Sequence, residues 1–334
     1  MKKYLKYLIG LIFFIILIYY FAGFYVANQI LKIDYSCGLH EGSLPNKWST
    51  KVDAHQYSNL SQKILRENFP YQDYFLENWQ DVYFTSRSDN IKLSGWLFNY
   101  YPNRPIIIVT HGINPNGKCK SESNLVASLL VKKKFNVLTI DLRNHGQSDK
   151  VTSFDDLGLK SYNDILGAFD FLKKIGFKAN KIGLHGISLG ASTSIFAAHY
   201  EPEILAIWSD SALAEFNMIL KDEIARYGLS IEFGPAVSLA GKLLTGIDPT
   251  SLSPALKLSS TQSYFFTHGD SDTRVLTRHF DYFYQYVKKN KINAEFWLVK
   301  NADHLDGMLM YAEEYSNKMS DFFNSKLDKA GSLN

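Results

Sequence analysis

Cysteine is scarce in this chain: Cys37 and Cys119 are the only two among 334 residues. They lie far apart, and neither has a ligand partner at metal spacing, so a thiolate metal site and a disulfide-dense scaffold are both excluded. One disulfide or two free thiols both remain open. A charge excess of one sign is also missing. The formal net charge is +3, and Lys2, Lys3 and Lys6 supply all of it, leaving 33 basic against 33 acidic residues elsewhere. That balance gives no footing for nucleic acid as a partner. No metal and no cofactor is required by the chemistry proposed below.

One long uncharged run is present near the start. From Tyr7 to Leu31 there are 25 consecutive residues without a charge, rich in Ile, Leu, Phe and Tyr and bracketed by Lys6 and Lys32. A helix needs roughly 20 residues to cross the hydrocarbon core of a bilayer, so this stretch can span one with some tilt. A cleaved secretory signal has a shorter apolar region, about 7 to 15 residues, ending in a small-x-small site. Here Tyr25 occupies the third position before a cut after Ala27, and Asp34-Tyr35-Ser36 before Cys37 is not a lipoprotein triplet. The expectation is a retained membrane anchor over residues 1–32. Three lysines precede the span and only Lys32 follows closely, which places the N-terminus in the cytoplasm and the catalytic domain outside the cell membrane, in single-pass topology.

Residues 33–79 read as a tether and lead-in, with a helical pattern from Tyr57 to Phe69 and no assignable task. Two strands of a hairpin follow, Asp81 to Ser86 and Ile91 to Tyr100. Short continuous apolar runs then recur at Pro105 to Thr110, Asn136 to Ile140, Lys181 to Leu184, Ile204 to Trp208, Ser263 to Thr267 and Ala294 to Val299. Strands that are apolar on both faces and alternate with helical periodicity indicate an α/β domain, a mostly parallel sheet flanked by helices. Such sheets bind ligands at the carboxyl ends of their strands. The residues just past these runs are His111-Gly112, Asp141, Ser188, Asp210-Ser211, Asp270-Ser271-Asp272 and Asp303-His304. The interval from Ser211 to Asp272 is 61 residues, against 31 from Thr110 to Asp141 and 32 from Asp272 to His304. The surplus marks a small helical cap at about 212–260, with helices near Leu213 to Tyr227 and Pro235 to Leu244.

The stretch Gly183 to Ala191 contains Gly186-Ile187-Ser188-Leu189-Gly190, a G-x-S-x-G pattern between an apolar run and a helix start. A serine on so sharp a turn needs glycine neighbours, and its hydroxyl stands clear of the sheet. A serine becomes nucleophilic when a base takes its proton and a third group orients that base. In the strand-turn-helix form of this device the chain order is nucleophile, acid, histidine. That order selects His304 over His268, which precedes the acids, and over His279, read as a surface or packing histidine on a helix flank. Asp272 is the expected acid, with Asp270 as a turn or capping residue and Asp303 and Asp306 as loop-shaping. Backbone N–H groups of Leu189 and Ile113 are the candidate oxyanion donors, with Asn114 behind Ile113 and His111 structural.

The segments Thr110-His111-Gly112, Asp141 to Asp149, Gly183 to Ala191, Thr267 to Val275 and Asn301 to Gly307 together resemble the α/β-hydrolase superfamily. Within it they look like the bacterial serine-aminopeptidase-like and lysophospholipase-like hydrolases with a single N-terminal membrane anchor. The resemblance covers about residues 80–325, leaves 326–334 as a tail, and departs at Asn144 and Asp303, where the family often has glycine. It implies a Ser188, Asp272, His304 triad with Ile113 and Leu189 as oxyanion donors. The activity it implies is that of a membrane-anchored serine esterase acting on a small-molecule ester or lipid. A peptidase acting on short peptides and a catalytically silent, ligand-binding ectodomain are the alternatives.

Overall fold

The computed structural model describes residues 2–33, 42–49, 60–113 and 119–327. The long apolar run is one helix, α1 (Lys2–Leu31), followed by a two-residue-strand hairpin, β1 (Ser43–Leu44) and β2 (Lys47–Trp48). The lead-in helix α2 is described over Leu60–Asn68, and Tyr57 to Asn59 of its sequence pattern lie outside the described residues. Next come β3 (Gln80–Thr85), β4 (Lys92–Phe98), β5 (Ile106–Thr110), α3 (Asn124–Lys132) and β6 (Asn136–Asp141). They are followed by α4 (Tyr162–Lys174), β7 (Ile182–Ile187), α5 (Leu189–Tyr200) and β8 (Ala206–Asp210). The cap carries α6 (Phe216–Arg226) and α7 (Gly234–Thr245), and the chain closes with β9 (Ser263–Gly269), α8 (Arg278–Asn290), β10 (Asn293–Val299), α9 (Gly307–Met310) and α10 (Ala312–Leu327).

The eight long strands form one sheet in the order β10-β9-β8-β7-β5-β6-β4-β3. From β6 to β10 every neighbouring pair is parallel, while β4 pairs antiparallel with both β6 and β3. This is the mostly parallel, helix-flanked sheet expected of an α/β hydrolase. Alternation within each strand feeds two cores. Ile106 and Ile108 of β5 meet α4 and α5 through Phe169 and Ile195, whereas Ile107 and Val109 meet α3 and α10 through Leu130 and Phe323. Each such fully buried side chain stabilises the fold by about 1.5–3 kcal/mol.

Several boundaries differ from the sequence reading by a few residues, β8 for example running Ala206–Asp210, and two of the shifts have a plain local cause. β7 continues to Ile187, past the apolar run, because His185 is accommodated in the core by the Tyr315 hydroxyl at 3.1 Å. The first cap helix starts at Phe216, since the Glu215 carboxylate caps it by accepting the Met218 N–H at 3.2 Å. The second cap helix runs from Gly234, with Pro235 in its first turn, to a left-handed Gly246 at φ 69°.

Candidate active site

Ser188 sits between β7 and α5 with φ 54° and ψ −120°, a conformation costly for any residue bearing a Cβ. The surroundings enforce it. A Cβ on Gly186 would fall 2.3 Å from the Ala191 Cα, and one on Gly190 2.2 Å from the His111 carbonyl oxygen. The two glycines of the motif are therefore dictated by the close passage of helix and neighbouring loop. The Ser188 N–H donates to the Asp210 carbonyl at 2.8 Å, tying the turn to the end of β8.

The loop after β10 brings His304 to this turn, with Nε2 3.1 Å from the Ser188 Oγ. On the other side of the ring, Nδ1 lies 2.8 Å from Asp272 Oδ2. Because Nδ1 donates to the carboxylate, Nε2 keeps its lone pair toward the serine hydroxyl. Asp272 is 4% exposed, and its other oxygen accepts the N–H groups of Arg274 at 2.8 Å and Val275 at 2.7 Å. Burial alone would raise this carboxyl. The adjoining His304 and His268 rings outweigh burial and hold it well below the usual carboxylate range. The structure thus brings Ser188, His304 and Asp272 into one hydrogen-bonded line, in which a serine proton has an acceptor and the resulting imidazolium has a counter-charge.

His268 enters this site from a direction the sequence did not show. Its Nε2 donates to the Val275 carbonyl at 2.7 Å and lies 3.3 Å from Asp272 Oδ2. Burial opposes its charge, yet Asp272 raises its pKa overall. His279 is buried under the cap, its Nδ1 accepting the Ala214 N–H at 2.9 Å, and burial lowers it to about 3. It is a packing residue and not a surface one. Asp270 stays exposed in the turn after β9, its carboxylate accepting the Ser271 hydroxyl.

The loops carrying Asp272 and His304 are stitched together. Asp303 accepts the Thr273 N–H at 2.8 Å and the His304 N–H at 2.7 Å, and the Ser271 N–H donates to the Ala302 carbonyl at 3.0 Å. Two residues past His304, Asp306 forms a buried ion pair with Arg66 of α2. No local signal singles out Arg66, because its partner is 240 positions away.

On the opposite side of Ser188, Gly112 packs so closely that a Cβ on it would sit 3.2 Å from the Ser188 Cβ. His111 holds that loop. Its Nε2 accepts the Leu142 N–H at 3.1 Å and its Nδ1 donates to the Gly112 carbonyl at 2.7 Å, with burial lowering its pKa. Ile113 and Leu189 line the same pocket as Ser188. Asn114 lies outside the described residues. Asn144 takes the left-handed φ of 67° that glycine would otherwise serve, and its side-chain oxygen accepts the N–H groups of Val151 and Thr152. Cys119 is disulfide-bonded, and the one other cysteine, Cys37, lies outside the described residues. Among the described residues no group of three or more His, Cys, Asp or Glu side chains is placed to hold a metal ion.

The pocket beside Ser188 encloses about 750 Å³ of empty space, its mouth included. Its walls are nearly all aliphatic or aromatic. The two charged residues on them, Glu223 and Arg274, are paired with each other.

Residues 121–330 match the model of the prolyl oligopeptidase family. A curated relative is a thiohydrolase, AneE, of Aspergillus aculeatus, 30% identical over 128 residues. That match spans 38% of this chain and 40% of the thiohydrolase. Among solved structures, the esterase Pf2001 of Pyrococcus furiosus superposes with a TM-score of 0.60 at 23% identity, covering 78% of this chain and 97% of the esterase. The acylaminoacyl peptidase of Pyrococcus horikoshii gives 0.58 at 21% identity, covering 76% of this chain and 43% of the peptidase. The last two likenesses speak for the fold.

Proposed function

The chain belongs to the prolyl oligopeptidase family and is a serine hydrolase; from that premise we propose that it cleaves carboxylic esters through an acyl-enzyme on Ser188. Ser188 Oγ attacks the ester carbonyl while His304 Nε2 takes its proton, and Asp272 keeps the ring oriented and balances its charge. The oxyanion forms against the backbone N–H groups of Leu189 and Ile113, helped by the N-terminal end of α5. Collapse of the tetrahedral intermediate breaks the C–O bond, and His304 returns the proton to the leaving alcohol. Water, activated by the same ring, then releases the acid.

The observation that carries the reading is the hydrogen-bonded line from Asp272 through His304 to Ser188, at 2.8 and 3.1 Å. The apolar pocket favours an ester over a peptide, because its two charged residues neutralise each other and leave no unmatched charge for a peptide terminus. The family match supports the second reading, a peptidase of short peptides. Turnover of p-nitrophenyl esters against aminoacyl anilides separates the two. A fluorophosphonate probe should label the wild type and leave Ser188→Ala unlabelled; labelling that persists in the variant would remove Ser188 from the mechanism.

We further propose that α1 anchors the protein, with the N-terminal lysines cytoplasmic and residues from 33 onward outside. Its apolar stretch, Lys3–Leu31, has a mean hydropathy of 2.4 over its best window. The disulfide at Cys119 accords with an oxidising compartment. Protease added to intact spheroplasts should digest the hydrolase domain, and full protection would reverse the topology.

A further inference from the structure

The last turns of α1 are part of the active-site pocket. Ala27, Ile30 and Leu31 stand in the same wall system as Ser188, together with Leu220 of α6 and Val237 of α7. This placement is held by specific contacts along the helix. Val26 and Ala27 are each 1% exposed. Gly23 lies so near α7 that a Cβ there would come 2.5 Å from the Ala236 Cβ. The Tyr19 ring stacks on Phe233 at 5.3 Å between centroids, and its hydroxyl donates to the Glu232 carbonyl at 2.9 Å. At its exit the helix is pinned to the loop after β6, where Asp155 N–H donates to the Leu31 carbonyl at 2.8 Å and Ile33 N–H to the Ser153 carbonyl at 3.0 Å.

Helix geometry then sets the depth of the cap. At roughly 1.5 Å per residue, Lys3 to Tyr19 rises about 24 Å, less than the roughly 30 Å of a hydrocarbon core. An α1 that spans the bilayer therefore draws the cap edge at Tyr19, Glu232 and Phe233 to the membrane boundary. Ile231 at that edge and Leu239 and Leu243 on α7 are exposed apolar side chains suited to such a position. From Tyr19 the helix rises only about 12 Å further to Ala27 at the pocket wall.

We infer that the substrate is a membrane-resident ester of a long-chain fatty acid, whose acyl chain lies against the last turns of α1 while its carbonyl meets Ser188. This rests on the ester and anchor readings above and gives them a substrate class. The reaction is the one already described: the Ser188–acyl bond forms as the ester C–O bond breaks, the alcohol leaves with the proton from His304, and water frees the fatty acid. Each methylene moved from water into such a wall is worth roughly fourfold in binding. Specificity should thus rise steeply with chain length and be set partly by residue 27.

The test uses the full chain reconstituted in phosphatidylcholine vesicles, with p-nitrophenyl acetate, p-nitrophenyl dodecanoate and vesicle-dissolved 1-palmitoylglycerol as probes. The wild type should prefer dodecanoate to acetate at least a hundredfold in kcat/KM and release palmitate from the vesicles. Ala27→Phe and Gly241→Leu, which fill the pocket from α1 and from α7, should each lower dodecanoate turnover at least tenfold. In both, the ratio of dodecanoate to acetate turnover should fall at least tenfold, with fluorophosphonate labelling reporting whether the Ser188 hydroxyl is still reactive. Ile30→Ala, a milder change that enlarges the pocket, should shift the preferred chain to greater length. Equal losses on acetate and dodecanoate with an unchanged optimum in Ile30→Ala overturn the acyl-wall assignment, and dodecanoate cleavage without palmitate release overturns the membrane source. Wild-type protein inert toward every ester but active on anilides removes the ester reading itself.

Discussion

Replacing Arg66 by alanine removes a cation from an interior site and leaves Asp306 facing it. In the native protein both side chains are nearly sealed from solvent, at 4% and 5% exposure. Breaking a buried pair from one side costs about 3–5 kcal/mol, because the remaining charge has neither water nor partner. For a domain of this size each kcal/mol lowers the melting temperature by about 2–4 °C, so the Arg66→Ala protein should melt roughly 6–20 °C lower by circular dichroism. The effect reaches the site as well. Asp306 immediately precedes α9 and lies two residues beyond His304, so loosening it should displace the imidazole and cut turnover roughly tenfold or more. Replacing both partners by apolar residues, as in Arg66→Met with Asp306→Leu, should recover most of the lost stability, since no uncompensated charge is left. A loss below about 1 kcal/mol in the single variant, or a double variant whose loss equals the sum of the two singles, would refute the coupling.

Asp272→Asn leaves the shape of the site intact but cannot hold the tautomer that keeps the His304 lone pair toward Ser188, so kcat should fall roughly ten-thousandfold on p-nitrophenyl esters; retention of a tenth of the activity would show that another group orients the ring. Asp210 tests the pH dependence of the fold. Burial pushes its carboxyl up to about 6, against hydrogen bonds from Tyr315 at 2.6 Å and Ser211 at 2.9 Å. The folded value lies above the unfolded one, so the stability this group contributes is full below about pH 4 and is lost as pH rises through about 6, a difference of roughly 3 kcal/mol. Asp210→Asn should accordingly flatten the stability profile over that window in urea titrations at successive pH values. An unchanged profile would mean that Asp210 titrates alike in both states.

Features that depend on local pattern could be read before any coordinates. Strands apolar on both faces, and a serine whose turn demands glycines at 186 and 190, follow from backbone period and steric reach, and both are properties of a few neighbouring residues. The approach of His304 to Ser188 follows once polar residues collect at the carboxyl edge of a parallel sheet. Three elements of the site depend instead on shape across the fold. His268 precedes the acidic cluster in the chain, yet a ring on β9 can meet Asp272 from behind the line of Ser188, His304 and Asp272, which chain order does not encode. Arg66 looks like any helix-surface arginine until the partner loop closes over it. The apolar run of α1 carries the same hydropathy whether its last turns meet lipid, water or protein; only the close fit of Gly23 on Ala236 and of Tyr19 on Phe233 distinguishes a helix standing free of the domain from one built into the pocket. A uniformly apolar helix is thus ambiguous in a way an amphipathic one is not, because periodicity can report which face is buried only when the other face is polar. In this chain that ambiguity falls on residues 27, 30 and 31, where the neighbouring α7 and the loop after β6 decide that the last turns of α1 line the pocket beside Ser188.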